Sequence, residues 1–409
     1  ESEWAKRLAD RLQARAEAGR PGFLLLNPCS FTRRLALELD GVRGPLPVEG
    51  PVKAAEFDAD KARLVVEVPA FGFAWVPREA PPGASPPRSR LKLADGTSVR
   101  NEFFEAEVDP NTGGLYAFRD LRTRVNRLGQ QLVFNPGSKM RAKEVKVTHS
   151  GTALGEVVSE GALLNDQDEV LCLFRQRFRA WLGRPVLELR IELFPRHPPT
   201  GYAWHAYYGS RFAWRDERAM LFRGVTGSGM FSTHTRPVTP DFAELRLGRE
   251  VTTIFPGGLP FHQRHGGRML DVVLLPEGET GRVFELALAL DRENAMQVAS
   301  GVVSPAVVVE TDKGPPHVGP SGWLAHLDAS NLLVTSLRPS PAAGQERSVI
   351  AHLLEVSGYA GSASFRWARN PVRARALDGA GGVDLSVSGD SFGTDFSAHE
   401  MMIVQVDFG

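Results

Sequence analysis

Apolar residues follow helical spacing only at the start of the chain. Trp4, Leu8 and Leu12 fall on one face, with Arg and Glu filling the other, and Gly19 and Pro21 close the run. This predicts a helix over 1–18. From Phe23 onward the period changes to two. The apolar run at 23–31 (FLLLNPCSF) is stopped by Asn27-Pro28, and alternation at 33–41 and 62–77 predicts strands. Two more strands flank the turn-forming stretch Asp109-Pro110-Asn111-Thr112-Gly113-Gly114. A further pair surrounds Gly183-Arg184-Pro185, and later strands are read at 282–291, 304–311, 332–340, 348–358, 363–378, 383–389 and 399–409. Many short strands separated by turn chemistry, with no helical period between them, predict an all-β protein built on a large two-sheet sandwich.

The chain has 409 residues, which is too many for one core. The Pro/Ser/Gly-rich stretch at 77–90 is the clearest break in the pattern. We therefore expect a helix at 1–20, a small β domain and linker at 21–90, a large sandwich at 91–328 and a second, smaller sandwich at 329–409. No internal repeat is evident.

Composition narrows the function classes. Lysine plus arginine equals aspartate plus glutamate, 48 each, so no net charge draws the chain to nucleic acid or to an anionic membrane. No apolar run is long enough for a membrane-spanning helix. Cys29 and Cys172 are the only cysteines, so Cys-x-x-Cys metal sites are ruled out and free thiols are expected. The chain begins with Glu rather than Met, from which we expect it to be part of a longer protein. The compartment is left open, with the cytoplasm favoured.

The richest chemistry lies between Gly201 and Asp271. Aromatic residues there stand beside arginines, histidines and carboxylates, the mixture that a neutral polyhydroxylated ligand requires. Rings cover the apolar face of a sugar, while bidentate groups read its hydroxyls. The candidate contacts are Tyr207, Tyr208, Arg211, Trp214, Arg215, Asp216, His262, Arg264, His265 and Asp271. Alternatively, the aromatics are core and the charges are cross-strand ion pairs, such as Arg211 or Arg215 with Asp216 or Glu217. His262-x-x-His265 with Asp271 has only weak metal spacing. The paired glycines on either side mark that stretch as a loop, so we assign no metal to this chain. Adjacent Asp216 and Glu217 would point to opposite faces of a strand, which argues against them as a catalytic pair. Trp75, Trp181 and Trp367 are assigned to the core.

Several segments, taken in order, resemble the C-terminal region of the glycoside hydrolase family 38 α-mannosidases. They are LLLNPCSFTRR at 24–34, the aromatic-glycine turn VPAFGFAWVP at 68–77 and RNEFFEAEVDPNTGGLYAFRD at 100–120. The closing strands at 282–291 and 355–378 follow the same pattern. The strongest of these are Asn27-Pro28 and Asn101-Glu102-Phe103 followed by Asp109 to Gly114. The resemblance covers nearly the whole chain. It implies a galactose-mutarotase-like supersandwich with smaller β-sandwich domains and one helix left from a helical bundle. In that family the zinc ion and the carboxylate nucleophile belong to an N-terminal barrel, which has no counterpart here. The resemblance therefore implies that zinc is a cofactor of the missing catalytic domain, with none in this chain. It also implies a partner in that domain and a mannose-containing glycan as ligand of the whole enzyme. The chain alone is expected to be inactive, and a homo-oligomer is an open expectation. In the family a Tyr and an Arg from the β region reach the sugar site, and Tyr207, Tyr208, Arg211 and Arg215 are the candidates here. Two rival readings are a non-catalytic carbohydrate-binding or structural module and a mutarotase or epimerase. The latter would use His205 or His262 with Glu217 or Glu244.

Overall fold

The chain is described from a computed structural model, which covers residues 2–59, 61–80, 82–85, 91–340, 347–377 and 381–409. It is all-β, as the alternation requires: strands form a large two-sheet sandwich and several smaller sheets. The chain divides into two compact units. One is Pro87–Thr226 with Met230–Ala295. The other is Glu1–Pro86 with Gly227–Gly229 and Met296–Gly409. Of the linker expected at 77–90, residues 81 and 86–90 lie outside the described residues. Arg78 and Ala80 are tied to the Gly41–Gly44 turn, where Arg43 N donates to Arg78 O and Ala80 N donates to Arg43 O.

The first unit, Pro87–Thr226 with Met230–Ala295, is a sandwich of an eight-stranded and a nine-stranded sheet. Along strands such as Phe104–Val108 and Leu187–Pro195 every second residue enters the core between the sheets. Phe104, Phe118, Leu128 and Phe212 come from one sheet, and Phe174, Phe178, Leu189 and Leu286 from the other. Each of these large side chains contributes about 1.5–3 kcal/mol by leaving water. The turn at 109–114 works as its sequence demands. Asp109 accepts from the Asn111 and Thr112 amides, and Gly113 takes a positive φ of 82°.

The second unit has two larger cores and a small cluster at the N-terminal helix. Leu25, Leu37, Leu64 and Val66 pack between a four-stranded sheet and the three-stranded sheet of residues 33–68. Leu353, Phe365, Trp367 and Val404 form the other core within the C-terminal strands. The strands Val307–Lys313 and Ser321–Trp323, which the sequence reading grouped with residues 91–328, pair elsewhere. Val307–Lys313 lies antiparallel to Ala18–Asn27, with Leu24 opposite Val309, and Ser321 stands opposite Ala74. Strand partners so distant in sequence leave no local signature.

The N-terminal helix is shorter than its apolar spacing predicts, running from Ser2 to Leu12, and a strand begins at Ala18. Gln13 ends it. Its buried side-chain amide donates to Gly314 O at 2.7 Å and Lys313 O at 3.2 Å, drawing the chain into the sheet. Ala9 and Leu12 pack near Leu24, Leu26 and Trp75, while Trp4 and Leu8 stay 70% and 47% exposed. A second helix, Ala295–Val303, was not anticipated. Cys29 and Cys172 are free thiols, and burial pushes the Cys172 thiol up to about 12.

Two buried asparagines secure the places where strands begin and end. Asn27 donates to Phe31 O, Val68 O and Pro69 O and accepts from Cys29 N. Asn101 donates to Trp181 O and Arg184 O and accepts from the Phe103 and Phe104 amides. Each uses a complete amide to satisfy backbone groups that water cannot reach. Asn101→Ala should therefore lower the unfolding free energy by about 2–4 kcal/mol. Leu8→Ala should change it by less than about 0.5 kcal/mol. Denaturant titration of both variants checks this, and equal effects would contradict it.

Candidate functional site

Three neighbouring strands of the eight-stranded sheet build the site. Tyr207–Ala213 lies antiparallel to Met269–Pro276, which pairs on its other side with the short strand His262–His265. Alternation divides their side chains. Tyr208, Phe212, Leu270 and Val272 enter the core. Tyr207, Arg211, His265 and Asp271 gather on the opposite face, where Arg211 stands directly across from Asp271.

Asp271 is the hub of this group. Its carboxylate is fully buried yet lies among polar partners. Arg211 donates to both oxygens, Nε to Oδ1 at 2.7 Å and Nη2 to Oδ2 at 2.8 Å. Tyr207 Oη donates to Oδ2 at 2.6 Å, and His265 Nε2 lies 2.9 Å from the same oxygen. The bidentate contact fixes the guanidinium plane. Tyr207 reaches Asp271 by lying over Gly209, where an added Cβ would stand 3.0 Å from the Tyr207 ring. Burial and the Asp271 charge push the Tyr207 phenol far above its ordinary range, so it acts as a hydrogen-bond donor and not as an acid. The hydrogen bond from Arg211 to Asp271 raises the Arg211 pKa and holds its charge. Arg211 and His265 keep 29% and 25% of their side-chain surface exposed. Arg211 Nη1 and His265 Nδ1 are left without a partner among the described residues. His265 Nε2 also lies 3.2 Å from Arg211 Nη2; in the tautomer whose Nε2–H donates to Asp271, Nδ1 is an acceptor. The face thus presents one charged donor and one acceptor, both held rigidly from beneath.

The remaining candidates lie elsewhere. Tyr208 is core, its hydroxyl 2.6 Å from His197 O and 3.1 Å from Leu171 O. The stretch expected as a loop carries a strand, so His262 and His265 point to opposite faces and cannot share a ligand. His262 is fully buried, with Nδ1 at 3.2 Å from Pro260 O, and burial pulls its pKa to about 4. Arg264 holds the strand through its amide, which donates to Thr235 O. Trp214, Arg215 and Asp216 gather beyond the end of the Tyr207 strand, against Arg127 and Glu250. Arg215 pairs with Glu250 at 2.8 Å and Asp216 with Arg218 at 2.6 Å. The hydrogen bond from Arg218 lowers the Asp216 pKa to about 2. Glu244 is taken by Arg246, and His205 packs edge-on against Tyr202. Among the described residues no group of three or more His, Cys, Asp or Glu could hold a metal ion.

Sequence reasoning did not single out Arg236, Phe261, Arg127 or Glu250. Arg236 sits 5.7 Å from the Tyr202 ring and 5.2 Å from the Trp204 ring, and Trp204 meets Phe261 edge-on at 5.7 Å. Phe261 adjoins His262 in the chain, within the stretch inspected. Arg236 had no local signal.

A scan against protein-family models and a search of curated proteins match nothing. Solved structures do match. An α-mannosidase from Enterococcus faecalis V583 aligns over 100% of this chain and 59% of its own, with TM-score 0.69 and 10% identity. A protein in glycosyl hydrolase family 38 from Enterococcus faecalis aligns over 100% of this chain and 61% of its own, with TM-score 0.67 and 11% identity. A galactose mutarotase-like protein from Lactobacillus casei covers 47% of this chain at TM-score 0.32. At these identities the likeness is one of fold. The chain spans about three fifths of the length of the two family 38 structures.

The buried His262 yields a prediction. It stays neutral in the fold to about pH 4, whereas an unfolded histidine takes a proton near pH 6.5. Its contribution is therefore intact above about pH 6.5 and is lost as pH falls toward 4, with a slope up to about 1.4 kcal/mol per pH unit. Denaturant midpoints measured across this range should fall in the wild type more steeply than in His262→Gln. Parallel curves would contradict the assignment.

Proposed function

We propose that the chain is the C-terminal region of an α-mannosidase-like glycoside hydrolase, retaining and zinc-dependent as a whole. In this reading the β-sandwich scaffolds a catalytic domain and lends contacts to its sugar. The single observation that supports it best is the full-length alignment of this chain to part of two family 38 structures. The rigid Arg211–Asp271–His265–Tyr207 group supports the finer role. It offers a charged donor and an acceptor whose geometry is set before any ligand arrives, the arrangement that reads sugar hydroxyls without a reorganisation cost.

The chemistry itself is assigned to the companion domain. Here three of the candidate carboxylates are already engaged at short range, Asp271 by Arg211, Asp216 by Arg218 and Glu244 by Arg246, while Glu217 stands 3.9 Å from Arg268. A retaining hydrolase requires two carboxyl groups about 5–5.5 Å apart, one of them able to donate a proton. Zinc, the nucleophile and the acid thus belong, in this proposal, outside the chain, and the glycan is a ligand of the complete enzyme.

The test is kinetic. In the complete enzyme Arg211→Ala should lower kcat/KM on aryl α-mannosides by about tenfold to a thousandfold, the scale for losing one charged hydrogen bond to a transition state. The sandwich should remain folded by circular dichroism. An unchanged kcat/KM would return Arg211 to a cross-strand ion pair.

A further inference from the structure

A second polar site lies at the end of the Tyr207 strand, apart from the Asp271 group. Arg127, Trp214, Arg215, Ala219, Leu245 and Glu250 help line a cavity of about 20 Å³. One oxygen-sized group needs about 10–15 Å³. Arg127 and Trp214 are only 5% and 6% exposed. Trp214 Nε1 and Arg127 Nε are both buried N–H groups that make no hydrogen bond, although Arg127 Nε lies 3.6 Å from Glu250 Oε2. Leaving two such donors unmatched costs free energy, so an acceptor is called for.

The charges identify the kind of acceptor. Arg127 already has Asp291 at 3.0 Å, Asp120 at 3.5 Å and Glu250 at 3.6 Å. Arg215 already has Glu250 at 2.8 Å. With the cations matched, an anion would meet surplus carboxylate, and a metal ion would meet N–H donors. A hydroxyl fits instead. It has two lone pairs for Arg127 Nε–H and Trp214 Nε1–H and one proton for the Glu250 carboxylate. The apolar walls Ala219 and Leu245 suit the carbon that bears it. We propose that this cavity binds one hydroxyl group of a neutral polyhydroxylated ligand, a site independent of the Arg211–Asp271 group.

Nitrogen-resolved NMR of the 409-residue chain reads this directly, with the Trp214 indole signal assigned by its loss in Trp214→Phe. Titration with methyl α-D-mannopyranoside should move that signal saturably. The same sugar with every hydroxyl methylated should not move it. Ala219→Leu, which fills the cavity from its apolar wall, should abolish the response. Glu250→Ala should weaken it by about twofold to tenfold. Arg211→Ala should leave it unchanged, which keeps this result separate from that of the other site. An indole signal that stays still up to the solubility limit of the sugar would overturn the proposal and leave the donors to water. So would a response that survives Ala219→Leu or appears equally with the methylated sugar.

Discussion

A carboxylate without exposed surface has to be matched on every side, and Asp271 is matched by Arg211, Tyr207 and His265. That requirement explains the local sequence. Arg211 must stand opposite Asp271 in register, and it does. Tyr207 must cross the position between them, so residue 209 is glycine. His265 must come from the other neighbouring strand, which the Gly266-Gly267 turn folds back onto Asp271. Removing Asp271 would leave a partly exposed guanidinium and a fully buried phenol without the carboxylate they share, so the surface chemistry of this face depends on one buried charge.

The same accounting governs the scaffold. Asn27 and Asn101 occupy positions where the chain leaves a strand and its backbone groups face inward. A serine hydroxyl, with a single proton, could not donate to two carbonyls while accepting from an amide there. These are also the residues at the centre of the two motifs that carried the resemblance in the sequence. Their prominence has a physical source: each closes a set of buried hydrogen bonds that the sandwich cannot leave open.

Local features were legible. Alternation indicated the strands, the Asp109–Gly114 turn was readable from its residues, and composition singled out the Gly201–Asp271 stretch, of whose ten candidates Tyr207, Arg211, His265 and Asp271 come together. What failed was whatever depends on register or on distant partners. Nothing in 204–216 says which of Tyr207 and Tyr208 faces the core, because a one-residue shift exchanges the faces. The pairing of Val307–Lys313 with Ala18–Asn27 and the early end of the first helix at Gln13 both rest on contacts some 300 residues apart. The second polar cavity joins Arg127 to Glu250, which no local pattern connects.

The fold matches part of two family 38 structures over the full length of this chain, while the chain spans three fifths of theirs. A sandwich of this kind can hold a few polar groups rigid at its surface more cheaply than a loop can, since the sheet fixes their backbone. The central proposal is a sugar site shared with a companion domain and built partly from this face. The most direct test is a crystal structure of the complete enzyme with a mannose-configured inhibitor. The account predicts Arg211 Nη1 or His265 Nδ1 within hydrogen-bonding distance of a sugar oxygen. A bound sugar with no group of the Tyr207–Asp271 face in its first layer of contacts would contradict it.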